Sequence, residues 1–370
     1  MTVKALSLLL VMSLMFSFLA AESLEETLNS LTGAAASNYV NPMVSAFGSD
    51  MNGGWFHKAP RAKLMGWDFE VGIVMMGTMF PDADKSFDVN GHFNFTEAQA
   101  QQIAASYSGM PFYNDLVAQI VNQQFTVGIK GPTIIGEQYD ALQDQTDGSN
   151  PTAICVYFPQ QDITFNYMGG SMTQNVPGNI IKVPFGGLLK DVPALPLAAP
   201  QLTIGTLAGT NLSLRYLPET ELTPEIGSLK YLGWGIQHNP AVWISFPIPV
   251  DAALAFYTQS MDIGDIIETS ATTFGLNVSK RLGWKLFSVT PYLGASMESS
   301  EMKFHYTYAT GATQPGVPAE MQVKFNVEGK NSTRFTGGLN FRLAILNINF
   351  DYNLAKYPSA TAGVGINLSW

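Results

Sequence analysis

From Val250 to the end of the chain, almost every segment alternates apolar and polar residues with a period of two, the mark of strands whose two faces meet different surroundings. Leu346, Ile348, Phe350, Tyr352 and Leu354 share one face, and Asn347, Asn349, Asp351 and Asn353 share the other. Just upstream, Phe335, Leu339, Phe341 and Leu343 oppose Thr336, Gly338, Asn340 and Arg342, and the next strand begins so soon that only a tight turn fits between them. Similar segments cover 268–280, 287–298, 302–308 and 323–327. Residues 201–216 read as one long strand whose length suits a tilted membrane crossing. Trp67, Phe69, Val71, Ile73 and Met75, opposed by Asp68, Glu70 and Gly72, give a first strand. The count of such segments predicts an all-β, transmembrane antiparallel barrel of about 14 strands, within a range of about 12 to 14, since bacterial barrels use even numbers.

Three regions break the alternation. Thr96 can cap a helix over 96–107, and Leu116, Ile120 and Val121 fall at helical spacing in 112–124, so 96–124 is expected to be a short helical insertion. Residues 176–200 carry Pro177, Pro184, Pro193, Pro196 and Pro200 with Gly186-Gly187, and are expected to form an irregular insertion. Residues 22–66, rich in Gly, Ala, Asn and Pro from Ala34 to Lys63, are expected to be a plug-like or periplasmic segment ahead of a barrel at 67–370.

The first 21 residues change the picture of compartment. Lys4, an apolar run from Ala5 to Leu19, and Ala20-Ala21 form a signal-peptide pattern. The full chain is apolar on average, with 46% hydrophobic and 13% charged residues, yet after the first 21 residues it has no apolar run long enough for a helical span. A barrel reconciles these facts, because outward apolar residues are interleaved with inward polar ones. The expected location is therefore the bacterial outer membrane, with lipid and, during insertion, the barrel-assembly machinery as partners. A net charge of −10, with 19 basic residues and no basic run, excludes a nucleic-acid partner. The single Cys155 forms no internal disulfide and is expected to be buried or lipid-facing.

Ala362, Val364, Ile366, Leu368 and Trp370 share one parity and end the chain on an aromatic residue. This resembles the C-terminal insertion signal of outer-membrane barrels, although Phe is the commoner last residue. Tyr39-Val40-Asn41-Pro42 and Ala46 to Asn52, leading into the first strand, resemble the N-terminal hatch of the long-chain fatty-acid transporter (FadL-like) superfamily. Leu214-Arg215-Tyr216-Leu217-Pro218 and residues 233–238 are similar to uncharacterised outer-membrane barrels of that superfamily. The resemblance implies a fold and a small hydrophobic ligand, and carries over no binding residue.

Candidate chemistry is sparse. His57, His92, His238 and His305 show no metal-ligand spacing, and His238 near Asp251 or Ser245 is the one conceivable rim-enzyme pair, set against a simple loop role before Asn239-Pro240. No enzyme activity and no cofactor are expected. Arg215, Asp251, Asn340, Arg342 and Asp351 are the candidate lumen-lining residues, most of them expected to satisfy one another. Trp234, Trp243, Trp284, Tyr292 and Tyr352 are expected in the interfacial aromatic belts. The leading expectation is a passive channel or transporter for small, hydrophobic solutes. The alternative from another class is a non-transporting barrel that anchors or docks protein partners through the helical pair and the Pro-rich region, and an exported soluble β-sandwich comes third.

Overall fold

A computed structural model describes residues 22–141, 152–223, 227–244, 249–284, 286–309 and 320–369. The signal-peptide stretch 1–21 and Trp370 lie outside the described residues. The chain divides into two compact units, one of residues 1–40 and 83–191, the other of residues 41–82 and 192–370. Helix α1 (Glu22–Asn52) gives its first part to the former and, from Asn41, its last part to the latter.

The smaller unit joins β2 (Ser86–Phe93), α2 (Glu97–Ile103), α3 (Tyr113–Asn122), β3 (Phe125–Pro132), β4 (Ile154–Phe158), β5 (Gln161–Tyr167), β6 (Gly170–Val176) and β7 (Asn179–Val183). Strands β2, β3, β4 and β7 form one antiparallel sheet, and β5 and β6 form a separate hairpin. Thr96 caps α2 through a reciprocal pair, its hydroxyl accepting from the Gln99 N–H and its own N–H donating to the Gln99 side chain. Helix α3 buries Leu116, Val117 and Ile120, the stripe that its 3.6-residue spacing places on one face. Phe93 and Phe125, each packed against Phe95, anchor the core of the unit, and Cys155 is buried.

The larger unit is a closed antiparallel barrel of ten strands: β1 (Met65–Met79), β8 (Ala194–Leu207), β9 (Thr210–Thr223), β10 (Gly227–His238), β11 (Asp251–Ile263), β12 (Ile267–Ser279), β14 (Phe287–Ala309), β16 (Thr333–Leu343), β17 (Leu346–Leu354) and β18 (Ser359–Ser369). Each pairs with the next in this list, and the last strand returns to the first through Asp68↔Ser369 to Thr78↔Ser359. Closure leaves no ring strand without a neighbour on either side, although β8 and β9 pair with each other over only part of their length. Two further strands, β13 (Leu282–Gly283) and β15 (Glu320–Glu328), pair with β14 outside the ring.

Ten strands replace the expected 14, because alternation marks a strand without saying what it pairs with. Segments 287–298 and 302–308 are one 23-residue strand, β14, and 323–327 lies in β15, off the ring. Conversely, 201–216 is not one strand but the hairpin of β8 and β9, folded at Ala208 (φ 46°) and Gly209 (φ 69°). Two successive left-handed residues close a two-residue hairpin whose twist matches its strands. Residues 194–200 belong to β8 rather than to an irregular insertion over 176–200. Pro196 and Pro200 are tolerated there because the β8–β9 register starts only at Gln201↔Arg215, and prolines an even number of residues apart turn the same donor-less side to that open edge.

The parity read from the sequence sets the two faces of the wall. Val71, Ile73, Leu214, Leu276, Leu339, Phe350 and Ile366 point outward and are exposed, whereas Arg215, Asn277, Asn340, Asn349, Thr361 and Asn367 point inward and are buried. Trp234, Trp243, Trp284 and Tyr352 are exposed as a belt requires. Tyr292 is not: it stands on the inward parity of β14, next to the outward Leu293, and its hydroxyl donates to Asp351 at 2.9 Å.

Candidate functional site: the filled barrel interior

Inward polar side chains from ten strands would leave an unsatisfied lumen unless water or protein filled it. Here the end of α1 and the segment after it run through it. Asn41 donates to the Glu328 carbonyl, Ser45 accepts from the Lys330 N–H, and Ser49 donates to the Tyr357 carbonyl, all at the mouth where β1 ends. At the opposite mouth the Ala59 N–H donates to Ser279 and Asn239 donates to the Pro60 carbonyl. Residues 41–60 thus traverse the barrel from end to end.

Five layers follow that path. Nearest the first mouth is an apolar layer, in which Met51 and Phe47 pack with Ala199, Tyr231, Met261 and Ala271. Next, Arg334 donates to Glu298 at 2.8 Å and to the Ser49 carbonyl at 2.6 Å, with both charged side chains almost wholly buried. Asp50 accepts from Thr78 at 2.6 Å beside them. The third layer is held by Arg215, fully buried, which donates to Gln201 at 2.9 Å and to the Gly53 carbonyl at 2.8 Å and stacks over Trp55 at 4.0 Å. Trp55 stacks in turn on Tyr257, with centroids 4.9 Å apart. A guanidinium between an indole face and carbonyl acceptors gains from both the ring quadrupole and its planar donors. Gly54 makes this passage feasible: its φ is +65°, and a Cβ there would stand 2.5 Å from Val74 Cγ1 and 2.7 Å from Thr361 Cγ2.

The fourth layer is a charge network. His57 lies 3.1 Å and Lys58 3.1 Å from the Glu70 carboxylate, Lys58 also lies 3.0 Å from Asp68, and Asn347 and Asn367 donate to Glu70. The fifth, at the second mouth, is a recess lined by Arg61, Asp251, Arg281, Asn340, Arg342 and Ser369 among others.

The candidate lumen residues therefore separate. Asp251, Asn340 and Arg342 meet in the mouth recess, Arg215 belongs to the Trp55 layer, and Asp351 accepts from Tyr292 and Asn353 in a compartment shared with Phe56 and Arg334. Ala362, Val364, Ile366 and Leu368 lie on the outward side of β18. His238 faces Thr210 at 2.9 Å and accepts from Trp243 at 3.3 Å, so its neighbours are a hydroxyl and an indole rather than a carboxylate, while Ser245 lies outside the described residues.

A sequence profile described as a family of unknown function matches residues 1–368. The chain belongs to that family, DUF6588. No curated protein matches it in sequence. Among solved structures, this DUF6588 chain is similar to the outer-membrane protease OmpT of Escherichia coli, at 7% identity and a TM-score of 0.28 over 83% of this chain and 97% of that one. It is similar to a deletion mutant of the monoaromatic hydrocarbon channel TodX, at 9% identity and 0.26 over 92% and 94%. It is also similar to the N-terminal β-barrel domain of Pseudomonas aeruginosa OprF, at 14% identity and 0.19 over 43% and 94%. These neighbours are bacterial outer-membrane barrels, and likenesses this slight carry no argument about what the DUF6588 chain does.

Sequence reasoning missed most of the fixed charge. Lys58, Arg281, Glu298 and Arg334 were not among the candidates, although Arg334 stands one residue before the alternation that begins at Phe335. Among the described residues no group of three His, Cys, Asp or Glu is placed to hold a metal ion.

Proposed function

We propose that the chain is an outer-membrane barrel providing a passive route for small apolar solutes without a catalytic step, and that residues 41–60 act as its plug. The apolar outward face supports insertion, since only a closed barrel or a helix satisfies its backbone inside lipid. The mouth with the two-residue turns at 208–209 and 344–345 would face the periplasm, and the mouth carrying the long β1–β8 connection would face outward. The hatch-like sequence at 39–52 fits the plug role.

The observation that carries the reading is a seam in the wall. Strand β8 stays paired with β1 up to Ala194, and β9 with β10 up to Thr223, yet β8 and β9 pair with each other only from Gln201↔Arg215 inward. Leu197 and Leu217, one on each flank of the seam, pack against the apolar layer of Met51, Tyr231 and Met261. An apolar cluster beside an unpaired stretch of wall is suited to an apolar molecule exchanging with lipid and unsuited to an ion.

The test is reconstitution in liposomes, following entry of the apolar fluorophore N-phenyl-1-naphthylamine together with ion conductance. The expected result is faster entry than in protein-free liposomes, slowed by Leu197→Asn, with no large conductance. Entry equal to that of protein-free liposomes would overturn the reading. The continuous hydrogen bonding of the plug supports a second reading, a sealed barrel that anchors partners; it predicts no entry and specific protein adducts on crosslinking in intact cells.

A further inference from the structure

Among the described residues, the recess at the second mouth is lined by more positive than negative charge. Its lining contains four cations, Lys58, Arg61, Arg281 and Arg342, against two carboxylates, Asp68 and Asp251. Lys58 is committed to Asp68 and Glu70. Arg342 donates to the Ala344 carbonyl at 2.8 Å, Ser369 at 2.6 Å and the Asn367 carbonyl at 3.4 Å. Arg281 makes a single side-chain hydrogen bond among the described residues, to the Trp284 carbonyl at 3.1 Å. The half-buried Arg61 makes no side-chain hydrogen bond among the described residues and lies within electrostatic reach of Asp251. Burial first, then Arg61 and Arg342, lower the Arg281 pKa, which places both of those guanidiniums within electrostatic reach of Arg281. An arginine keeps its proton in such company, so the repulsion is relieved by a counter-anion rather than by titration.

A second observation comes from the strands behind. Ser288 pairs across the sheet with Arg342 and Thr290 with Asn340, on the inward faces of β14 and β16, and Arg342 pairs on with Asn347 of β17. Ser288, Thr290, Asn340 and Asn347 are all more than nine-tenths buried and line the recess. Among the described residues the amide oxygens of Asn340 and Asn347 have no hydrogen-bond partner. Turning the last bond of Asn340 presents its NH2 to the recess, and the Ser288 and Thr290 hydroxyls can donate there by rotation, whereas the Asn347 amide already donates to Glu70. Guanidiniums at the rim above a floor of neutral donors are the arrangement that holds an oxyanion.

We propose that this recess binds a small oxyanion group, phosphate or carboxylate, held by Arg61 and Arg281 at the rim and by Ser288, Thr290 and Asn340 at the floor. The group is either a free anion or the phosphate of an anionic lipid headgroup at the mouth. This goes beyond the transport reading and does not require that the barrel conduct.

The test uses the full chain refolded in nonionic detergent and titrated with inorganic phosphate, followed by phosphorus NMR line broadening at constant ionic strength. The wild type is expected to saturate, and an R61A/R281A double variant that keeps its heat-modifiable gel migration is expected to bind at least about tenfold more weakly, the loss of one charge-assisted contact or more. Binding of phosphate in detergent assigns a free anion. No binding there, with retention of phosphatidylglycerol over phosphatidylcholine from mixed nanodiscs that the double variant loses, assigns the headgroup. Equal behaviour of wild type and double variant in both arms overturns the site, and neither arm depends on the solute-entry assay above. Ser288→Ala, a smaller change at the floor, is expected to weaken binding without moving the gel migration.

Discussion

Arg334→Ala isolates how dry the barrel interior is. Arg334 donates to Glu298 at 2.8 Å, and their side chains are 2% and 0% exposed, so removing the guanidinium leaves a carboxylate with neither water nor counter-charge. It also frees the Ser49 carbonyl, to which Arg334 donates at 2.6 Å. Breaking a buried ion pair from one side costs about 3–5 kcal/mol, whereas replacing both partners with apolar residues of similar volume is often neutral or stabilising. At about 1.4 kcal/mol per tenfold, the single variant should lose a factor of about a hundred to several thousand in its folding equilibrium. The R334M/E298L pair should recover most of that loss. The assay is urea unfolding of protein inserted in lipid vesicles, read by the heat-modifiable band and by tryptophan emission. A cost below about 1 kcal/mol for Arg334→Ala would refute the reasoning, because it is the value expected of a solvated pair. It would mean that water, not residues 41–60, fills the lumen at this level.

Two other substitutions test the wall. Phe350→Arg places a charge on the outward face of β17, where the native ring is 54% exposed, and should destabilise the membrane-inserted barrel by about 2–4 kcal/mol in the same urea titration; a neutral result would argue against lipid contact there. Ala208→Asn supplies a residue that tolerates the left-handed conformation Ala208 now adopts ahead of Gly209, and should stabilise the β8–β9 hairpin by about 0.5–1 kcal/mol, raising the midpoint without changing the slope.

How far the chain could be read from its sequence differed between elements for physical reasons. Helix α1 was not foreseen: it runs through Pro42, Gly33 and Gly48, and its last turns meet protein on several sides, so it carries no amphipathic stripe. Helices α2 and α3 were legible because Thr96 and the Leu116, Ile120 stripe are local signals. The hairpin at Ala208-Gly209 reads as continuous strand in the sequence because Ala208 gives no hint of a positive φ, which the fold imposes on it. Residue type places Tyr292 in the interfacial belt, and its parity on β14 overrules the type.

By itself, the sequence determined the two faces of the wall: that Leu346, Ile348 and Phe350 share one side and Asn347, Asn349 and Asp351 the other follows from the two-residue repeat of a strand, a property of the local backbone. Only the tertiary structure decided that ten strands close the ring, that residues 41–60 fill it, and that Arg61, Arg281 and Arg342 converge at one mouth. Strand pairing and lumen filling join residues as far apart as Ser49 and Tyr357. Such contacts depend on which surfaces complement one another after closure, and no local pattern encodes them.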